Sequence, residues 1–534
     1  MKKCKHKEAA ARFWTLRLFM TIMCSAVIVQ LANNAASPEY REAAAEQGNY
    51  SLRLPVSYGT IYDRNGMPLV NRYSKSIAVL SGDAESVKNV FPYTKNKKEF
   101  LEKAREGVPF SCEIDYSKDF PEDIMRFEIP IRYDNDQIAQ HIIGYMQEGS
   151  GVCGLEYDYD DILRIDKGQT TVTFPVDGAG RALSGENAFV RYAPNSSQGV
   201  VTTIDMGIQL ICEKAANSID KGVVIVMDTQ SGDILGLASR PVYSVYNMEE
   251  ALDSEDSPFI NRAIYAYPVG SIFKLVTAAS AIDNGLEDFN YECTGSIEVE
   301  SQNFFCHDRA GHGMMHIDTA MINSCNPYFI ELSTKISALD LFETAAKFGF
   351  GHEIFLSESI IGESGYLPDV QELMLPAEKG NFAFGQGKLT ATPLQIARMT
   401  SAIANGGVLP NVRLVVGTTD DGSIESVEKW QKGERILDEN TAKKLRKMMI
   451  NVVYQSSNFK GRPKGISAGA KTSTAQTGRF DENGEEYCHA WITGFFPAYA
   501  PKFTVTVLAE DSGYGNDAAA PVFKNIIEGM RDYL

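Results

Sequence analysis

Residues 13–32 read FWTLRLFMTIMCSAVIVQLA, and this mostly apolar run constrains the chain more than any other feature. About 20 helical residues are what the hydrocarbon core of a bilayer requires. Lys2, Lys3, Lys5, Lys7 and Arg12 precede the run, and Arg17 lies near enough to its start to snorkel to the interface. A basic flank keeps an N-terminus cytoplasmic, so the chain beyond the run is expected outside. A cleaved signal peptide is the alternative. Asn33, Asn34, Ala35 and Ala36 make a poor cleavage site, and the apolar run is long for a signal. The expectation is an uncleaved single-pass anchor at 13–32, a cytoplasmic tail at 1–12 and a stalk at 33–55.

The rest of the 534 residues exceeds one ordinary core, so further domains are expected. A net charge of −18 argues against nucleic acid as a partner, because phosphate binding needs clustered Lys and Arg. Residues 56–71 read as strand, turn, strand, with Asn65-Gly66 as the hairpin signal. A mixed pattern without catalytic motifs continues to about residue 198. A new rhythm begins near Val200: a buried strand at 223–227, a turn at 228–232 and a return strand at 233–237. Helices are predicted from Ser271 and over 318–336, 393–405 and 440–453, with Thr392 as N-cap and Pro393 at the first helical position. Strands at 466–477, 489–496 and 503–510 precede a last helix over 518–534. A hairpin, a helical insertion, more strands and a final helix imply one sheet split in sequence and flanked by helices.

Three short motifs carry chemistry. Ser271 and Lys274 are one helical turn apart and share a face. A serine hydroxyl is a weak nucleophile until a base takes its proton, and a lysine in a dry site can be that base. Ser324-Cys325-Asn326 follows a helical run; its serine can relay a proton and its asparagine can bind a substrate amide. Lys471-Thr472-Ser473-Thr474 lies on a strand flanked by small residues, where an extended peptide can add to the edge. Each motif alone is common by chance; the three in this order are not.

The set resembles that of the class B penicillin-binding proteins, D,D-transpeptidases of the serine penicillin-recognising superfamily. Gly59-Thr60-Ile61-Tyr62-Asp63-Arg64-Asn65-Gly66, Gly154-Leu155-Glu156, Asn261-Arg262, Gly385-Gln386-Gly387, Thr392-Pro393-Leu394-Gln395 and Trp491-Ile492-Thr493-Gly494-Phe495 are similar to further family signatures. The resemblance implies an α+β multidomain chain: a transmembrane helix, an elongated non-catalytic pedestal at 56–199, and a transpeptidase domain at 200–534. That domain is expected to be an α/β/α sandwich around an antiparallel five-stranded sheet. The implied activity is cross-linking of peptidoglycan stem peptides through a Ser271 acyl-enzyme with release of D-alanine, inhibited covalently by β-lactams. Lys274 would be the base, Ser324 the shuttle, and Lys471, Thr472 and Asn326 would position the donor. Ser271 and Thr474 would supply the oxyanion donors beside Ser473. The implied partners are D-Ala-D-Ala peptides, β-lactams, the bacterial membrane and a polytopic lipid II glycosyltransferase; no cofactor is implied. A D,D-carboxypeptidase or β-lactamase is the alternative enzyme, and an inactive β-lactam sensor or scaffold the non-enzymatic one.

The family usually has glycine where Ser473 stands, so a Cβ and hydroxyl there are expected to narrow the groove. Cys325 is expected to be a small buried filler. Cys293 and Cys306 are the plausible disulfide pair. Cys306, His307, His312 and His316 are zinc-type donors in a spacing that fits no familiar finger, so no metal is expected.

Overall fold

The computed structural model describes the chain except residues 1, 40–47, 57, 117–118, 165–168, 193–197, 421–423 and 428–430. Residues 40–47 of the expected stalk thus lie outside the described residues. The chain divides into two compact units interleaved in sequence: Met1–Ser57, Tyr73–Ile131 and Asp166–Asn195 form one, and Tyr58–Arg72, Arg132–Ile165 and Ser196–Leu534 the other.

In the first unit a helix spans Lys2–Ala36, and Ala10–Ala36 is long and apolar enough to cross a membrane. Tyr73–Leu80 is the central strand between Phe110–Ile114 and Met125–Ile131. Asn49–Arg53, read from sequence as the end of a stalk, is instead a strand paired antiparallel with Thr171–Pro175. Its side chains alternate between solvent and the core, where Tyr50 and Leu52 pack against a cluster containing Val172 and Phe174. Five residues of alternation are too few to be read as a strand without their partner.

The second unit is built on a five-stranded antiparallel sheet. Its strands are β1 (Gly222–Asp228), β2 (Ile234–Arg240), β3 (Gly469–Phe480), β4 (Glu486–Phe496) and β5 (Phe503–Ala509), in spatial order β2-β1-β5-β4-β3. Both faces are covered, which is why the strands read as near-continuous apolar runs. Val224, Val226, Ile492, Val505 and Val507 face one cluster with the helices α1 (Met206–Ala216) and, at the C-terminus, Ala519–Gly529. Val223, Ile225, Met227, Trp491 and Phe495 face the other cluster. That cluster takes in residues of α2 (Lys274–Asp283), α3 (Asn326–Thr334), α4 (Pro393–Ala404) and α5 (Glu439–Gln455). The result is the expected α/β/α sandwich. The predicted N-cap of α4 is a full capping box: Thr392 Oγ1 accepts from Gln395 N at 3.1 Å, and Gln395 Oε1 accepts from Thr392 N at 2.8 Å.

The predicted hairpin forms: Asp63 N donates to Met67 O and Leu69 N to Ile61 O, with Gly66 at φ +81°. The buried Asp63 carboxylate accepts from Asn65 N and Met67 N at 2.8 Å and from Met206 N at 3.1 Å, tying the turn to the start of α1. Glu156 is fully buried and paired with Arg132 (Nε–Oε1 2.8 Å, Nη2–Oε2 2.5 Å), and Tyr133 Oη donates to it at 2.7 Å. A buried carboxylate is tolerated only when its charge and lone pairs are met in this way.

Candidate active site

The predicted helix over 318–336 is broken where the chemistry lies. It is two helices, Ile317–Ile322 and α3, separated at Asn323–Cys325, and Ser324 sits in the left-handed region at φ +49°. A non-glycine residue pays about 1–2 kcal/mol for that conformation, and it turns the Ser324 carbonyl and hydroxyl toward α2.

Lys274 begins α2 and is fully buried. Its Nζ donates to Ser324 O at 2.7 Å, Ser324 Oγ at 3.2 Å and Asn326 Oδ1 at 2.6 Å. Lys471 on β3 is also buried, and its Nζ donates to Ser324 Oγ at 3.1 Å and Thr472 O at 2.9 Å. Two lysine side-chain nitrogens from elements about two hundred residues apart thus meet on one hydroxyl. Burial, and then the neighbouring Lys471 charge, hold Lys274 well below the usual lysine range. Burial alone pushes Lys471 down to about 7. Two cations this close in a dry site cannot both stay charged near neutrality, so the pair tends to share one proton.

Ser271 lies one turn ahead of Lys274 in a 3₁₀ turn, Gly270–Phe273, and is half-buried. Its hydroxyl has no hydrogen-bond partner among the described residues. The turn rests directly on β3. Gly270 has φ +63°, and a Cβ there would lie 2.3 Å from Ser473 Oγ and 3.2 Å from Thr474 O and Ala475 Cα. Thr472, Thr474, Ser324 and Asn326 are, like Ser271, partly exposed, so hydroxyls and an amide form the rim while the two lysines form the floor.

Ser473 corrects the sequence expectation. Its side chain is buried on the covered side of β3, and Oγ donates to Val269 O at 2.9 Å. The hydroxyl therefore braces the turn that carries Ser271 and does not narrow the groove. Ser473→Gly is expected to cost about 1–2 kcal/mol of stability, through a lost hydrogen bond and a freer backbone. Acylation by penicillin should stay within a few-fold of wild type, as read by thermal unfolding and stopped-flow labelling.

Sequence reasoning missed other supports of this turn, of the segment leading into it and of β3 beside it. Gly270 N donates to Gly385 O at 2.7 Å, Trp491 Nε1 donates to Pro268 O at 3.1 Å, and Thr474 Oγ1 accepts from Gly515 N at 3.2 Å. Tyr267 Oη and Arg262 Nε both donate to Glu510 Oε1, at 2.6 and 2.8 Å. Gly385, Trp491 and Arg262 stand in segments marked by resemblance; Gly515 and Glu510 carry no local signal.

The cysteines also differ from expectation. Cys293 and Cys306 are thiols, not a disulfide. His316 is exposed at the start of Ile317–Ile322, and the exposed His307 stands off with Nδ1 3.9 Å from Cys306 Sγ. The donors that do converge are Cys293, Cys306, His312 and Cys325, and Cys325 is buried, as expected.

The model of the penicillin-binding protein transpeptidase domain matches residues 222–528. Stage V sporulation protein D of Bacillus subtilis is 30% identical over 424 residues, covering 75% of this chain and 63% of that relative's length. The peptidoglycan D,D-transpeptidase MrdA of Acinetobacter baumannii is 24% identical, covering 97% of this chain and 88% of the relative. Among solved structures, the penicillin-binding protein PBP2 of Helicobacter pylori superposes with a TM-score of 0.68 at 22% identity, covering 91% of this chain and 99% of the other. Penicillin-binding protein A of Mycobacterium tuberculosis, solved as a ceftriaxone acyl-enzyme, gives 0.65 at 23% identity, covering 88% and 98%. These solved structures share the fold.

Proposed function

The chain belongs to the penicillin-binding protein transpeptidase family, and from that premise we propose that it is a peptidoglycan D,D-transpeptidase working through an acyl-enzyme on Ser271. The observation that carries the reading is the meeting of Lys274 and Lys471 on Ser324 beneath the turn that holds Ser271.

Lys274, neutral because it is buried beside a second cation, takes the proton as Ser271 Oγ attacks the carbonyl between the two terminal D-alanines. The N–H groups of Ser271 and Thr474 receive the developing oxyanion, where one such donor typically supplies about 3–4 kcal/mol of barrier lowering. The carbon–nitrogen bond breaks, and a proton relayed from Lys274 through Ser324 leaves with the D-alanine amine. An amine from a second stem peptide then attacks the ester, forming the cross-link and restoring Ser271. Lys471 and Thr472 hold the substrate carboxylate, and Asn326 its amide. A β-lactam enters the same path, but its leaving amine stays tethered and the ester persists. Detergent-solubilised full-length protein supplied with pentapeptide-bearing glycan strands should release D-alanine and form cross-links. Loss of neither on Ser271→Ala would refute the reading.

The titration of the pair sets a pH profile. Lys471 must be cationic to hold a carboxylate, so acylation by an anionic β-lactam should fall as pH rises through about 7. Protonation of Lys274 should lower it again on the acid side. Lys471→Arg, which cannot lose its charge, should remove the alkaline fall while leaving the acid limb. Acylation rates across the pH range read both limbs.

Residues 13–32 would anchor the chain with its N-terminus cytoplasmic. Residues 56–199 would be the pedestal, with Tyr58–Arg72 and Arg132–Ile165 joined to the transpeptidase's compact unit. One solved relative, the Helicobacter pylori PBP2, was obtained in complex with MreC. For this chain the anchor and pedestal are the surfaces through which a polytopic lipid II glycosyltransferase would be met.

A further inference from the structure

A short ribbon borders the Asn326 side of the cleft. In it Ser296–Val299 pairs antiparallel with Gln302–Phe305. Successive side chains of a strand point to opposite faces. Phe304 turns inward and is buried with Ile330 of α3 and with Phe384, and Ile297 and Val299 pack against them. Phe305 turns outward and is 50% exposed. Its carbonyl accepts from Asn326 Nδ2 at 3.2 Å. The same asparagine accepts from Lys274 through Oδ1, so Phe305 stands one hydrogen bond from the cluster beneath Ser271.

The ring of Phe305 carries a cation. The Arg309 guanidinium lies over it, 3.9 Å from the ring centroid. Stacking of this kind steadies a long side chain without spending its N–H donors. The backbone beneath is fixed as well. Arg309 sits in a turn in which Gly311 N donates to Asp308 O at 3.2 Å, and Asp308 Oδ1 accepts from Ala310 N at 3.0 Å. Gly295 has φ +96°, and a Cβ there would lie 2.1 Å from Arg309 O, so the turn seats directly on the ribbon. Among the described residues the Arg309 guanidinium makes no hydrogen bond or ion pair. Every other arginine of the second unit makes at least one. In a chain of net charge −18, a steadied guanidinium with its donors unspent, beside Asn326, is the exception.

We propose that Arg309, stacked on Phe305, is a specificity-determining residue whose guanidinium receives a carboxylate that the donor stem peptide carries just upstream of its two terminal D-alanines. The inference rests on the transpeptidase reading. In that reading Lys471 and Thr472 take the terminal carboxylate, and Asn326 takes the donor's amide. The donor chain then leaves Asn326 past Phe305, and a second anion arrives beside Arg309. The N–H groups of a guanidinium form a fork that matches the two oxygens of a carboxylate. Two residues of a stem peptide can present one there. A diamino acid at the third position can carry a side-chain carboxyl, and a γ-linked D-glutamate at the second position leaves its α-carboxyl free. Amidation of the carboxylate that is read removes the charge and should make a poorer donor.

The test uses full-length protein in detergent and pentapeptide-bearing glycan strands in three forms: both upstream carboxylates free, the third-residue carboxylate amidated, or the second-residue carboxylate amidated. Wild-type protein should release D-alanine from one amidated form with a KM raised roughly three- to tenfold, and which form identifies the carboxylate that is read. Arg309→Met should raise KM on the free strands by the same factor and treat all three forms alike. Arg309→Lys, which keeps the charge without the fork, should recover part of the preference. Raising ionic strength should shrink the wild-type preference. Lys335→Met removes one exposed cation at the far end of α3 and should leave the preference unchanged. Equal KM values for wild-type protein on all three forms overturn the proposal, as does an Arg309→Met variant that keeps the preference. Binding of the same strands to Ser271→Ala protein, followed by fluorescence anisotropy, reads the preference without acylation. Failure of the transpeptidase reading and failure of the Arg309 assignment are therefore distinguishable.

Discussion

Lys274→Met should cut the rate of penicillin acylation by roughly 10²- to 10⁴-fold, the contribution of a positioned general base. Methionine fills nearly the same volume, so packing against Phe329, whose ring lies 5.6 Å from Nζ, is kept. The substitution removes the desolvation cost of a buried amine but leaves Ser324 O and Asn326 Oδ1 without their donor. Those effects oppose each other, and the net change in stability should stay below about 3 kcal/mol. Unfolding midpoints measured beside labelling kinetics separate the two consequences. A variant that folds and still acylates at the wild-type rate would remove Lys274 from the chemistry.

Gly385→Ala should be nearly as damaging without touching substrate. Gly385 has φ +83°, and a Cβ there would lie 2.0 Å from Gly270 O, a backbone atom that cannot swing aside. The segment must move, and the Ser271 turn moves with it because Gly270 N donates to Gly385 O. A nucleophile displaced by an ångström costs roughly 10²-fold in rate. The strain itself should cost about 1–3 kcal/mol. Gly478 is the control: it also has positive φ, at +70°, but nothing lies within 4 Å of a Cβ there. Gly478→Ala should show the backbone strain alone, with acylation unchanged. Equal labelling rates in the two variants would refute the positioning role of Gly385.

The features legible in the sequence had local causes. The strands of the sheet appear as apolar runs because helices cover both faces, and α4 announces itself through Thr392-Pro393-Leu394-Gln395. The three motifs could be placed because each sits on an element with its own signal. The features missed were non-local. Apolar periodicity runs through 317–334 and predicts one helix over 318–336, while the motif itself reads as a helix end, so the sequence places Ser324 at a boundary without showing its conformation; the left-handed Ser324 is held there by contacts from α2 and β3. The metal-type cluster follows C-x12-C-x5-H-x12-C, without the close cysteine pairs by which zinc sites are usually read. Its members meet only once two short ribbons and the start of α3 have folded together. The parity of β3 decides which way Ser473 points, and a tetrapeptide read alone does not reveal which of its two faces is covered.

Intact-mass measurement and peptide mapping of the full-length protein after penicillin treatment test the Ser271 acyl-enzyme most directly. One penicilloyl adduct per chain should appear, on the peptide holding Ser271, and Ser271→Ala should abolish it while leaving the unfolding midpoint in place. An adduct on any other residue, or an unmodified chain from folded wild-type protein, would contradict it.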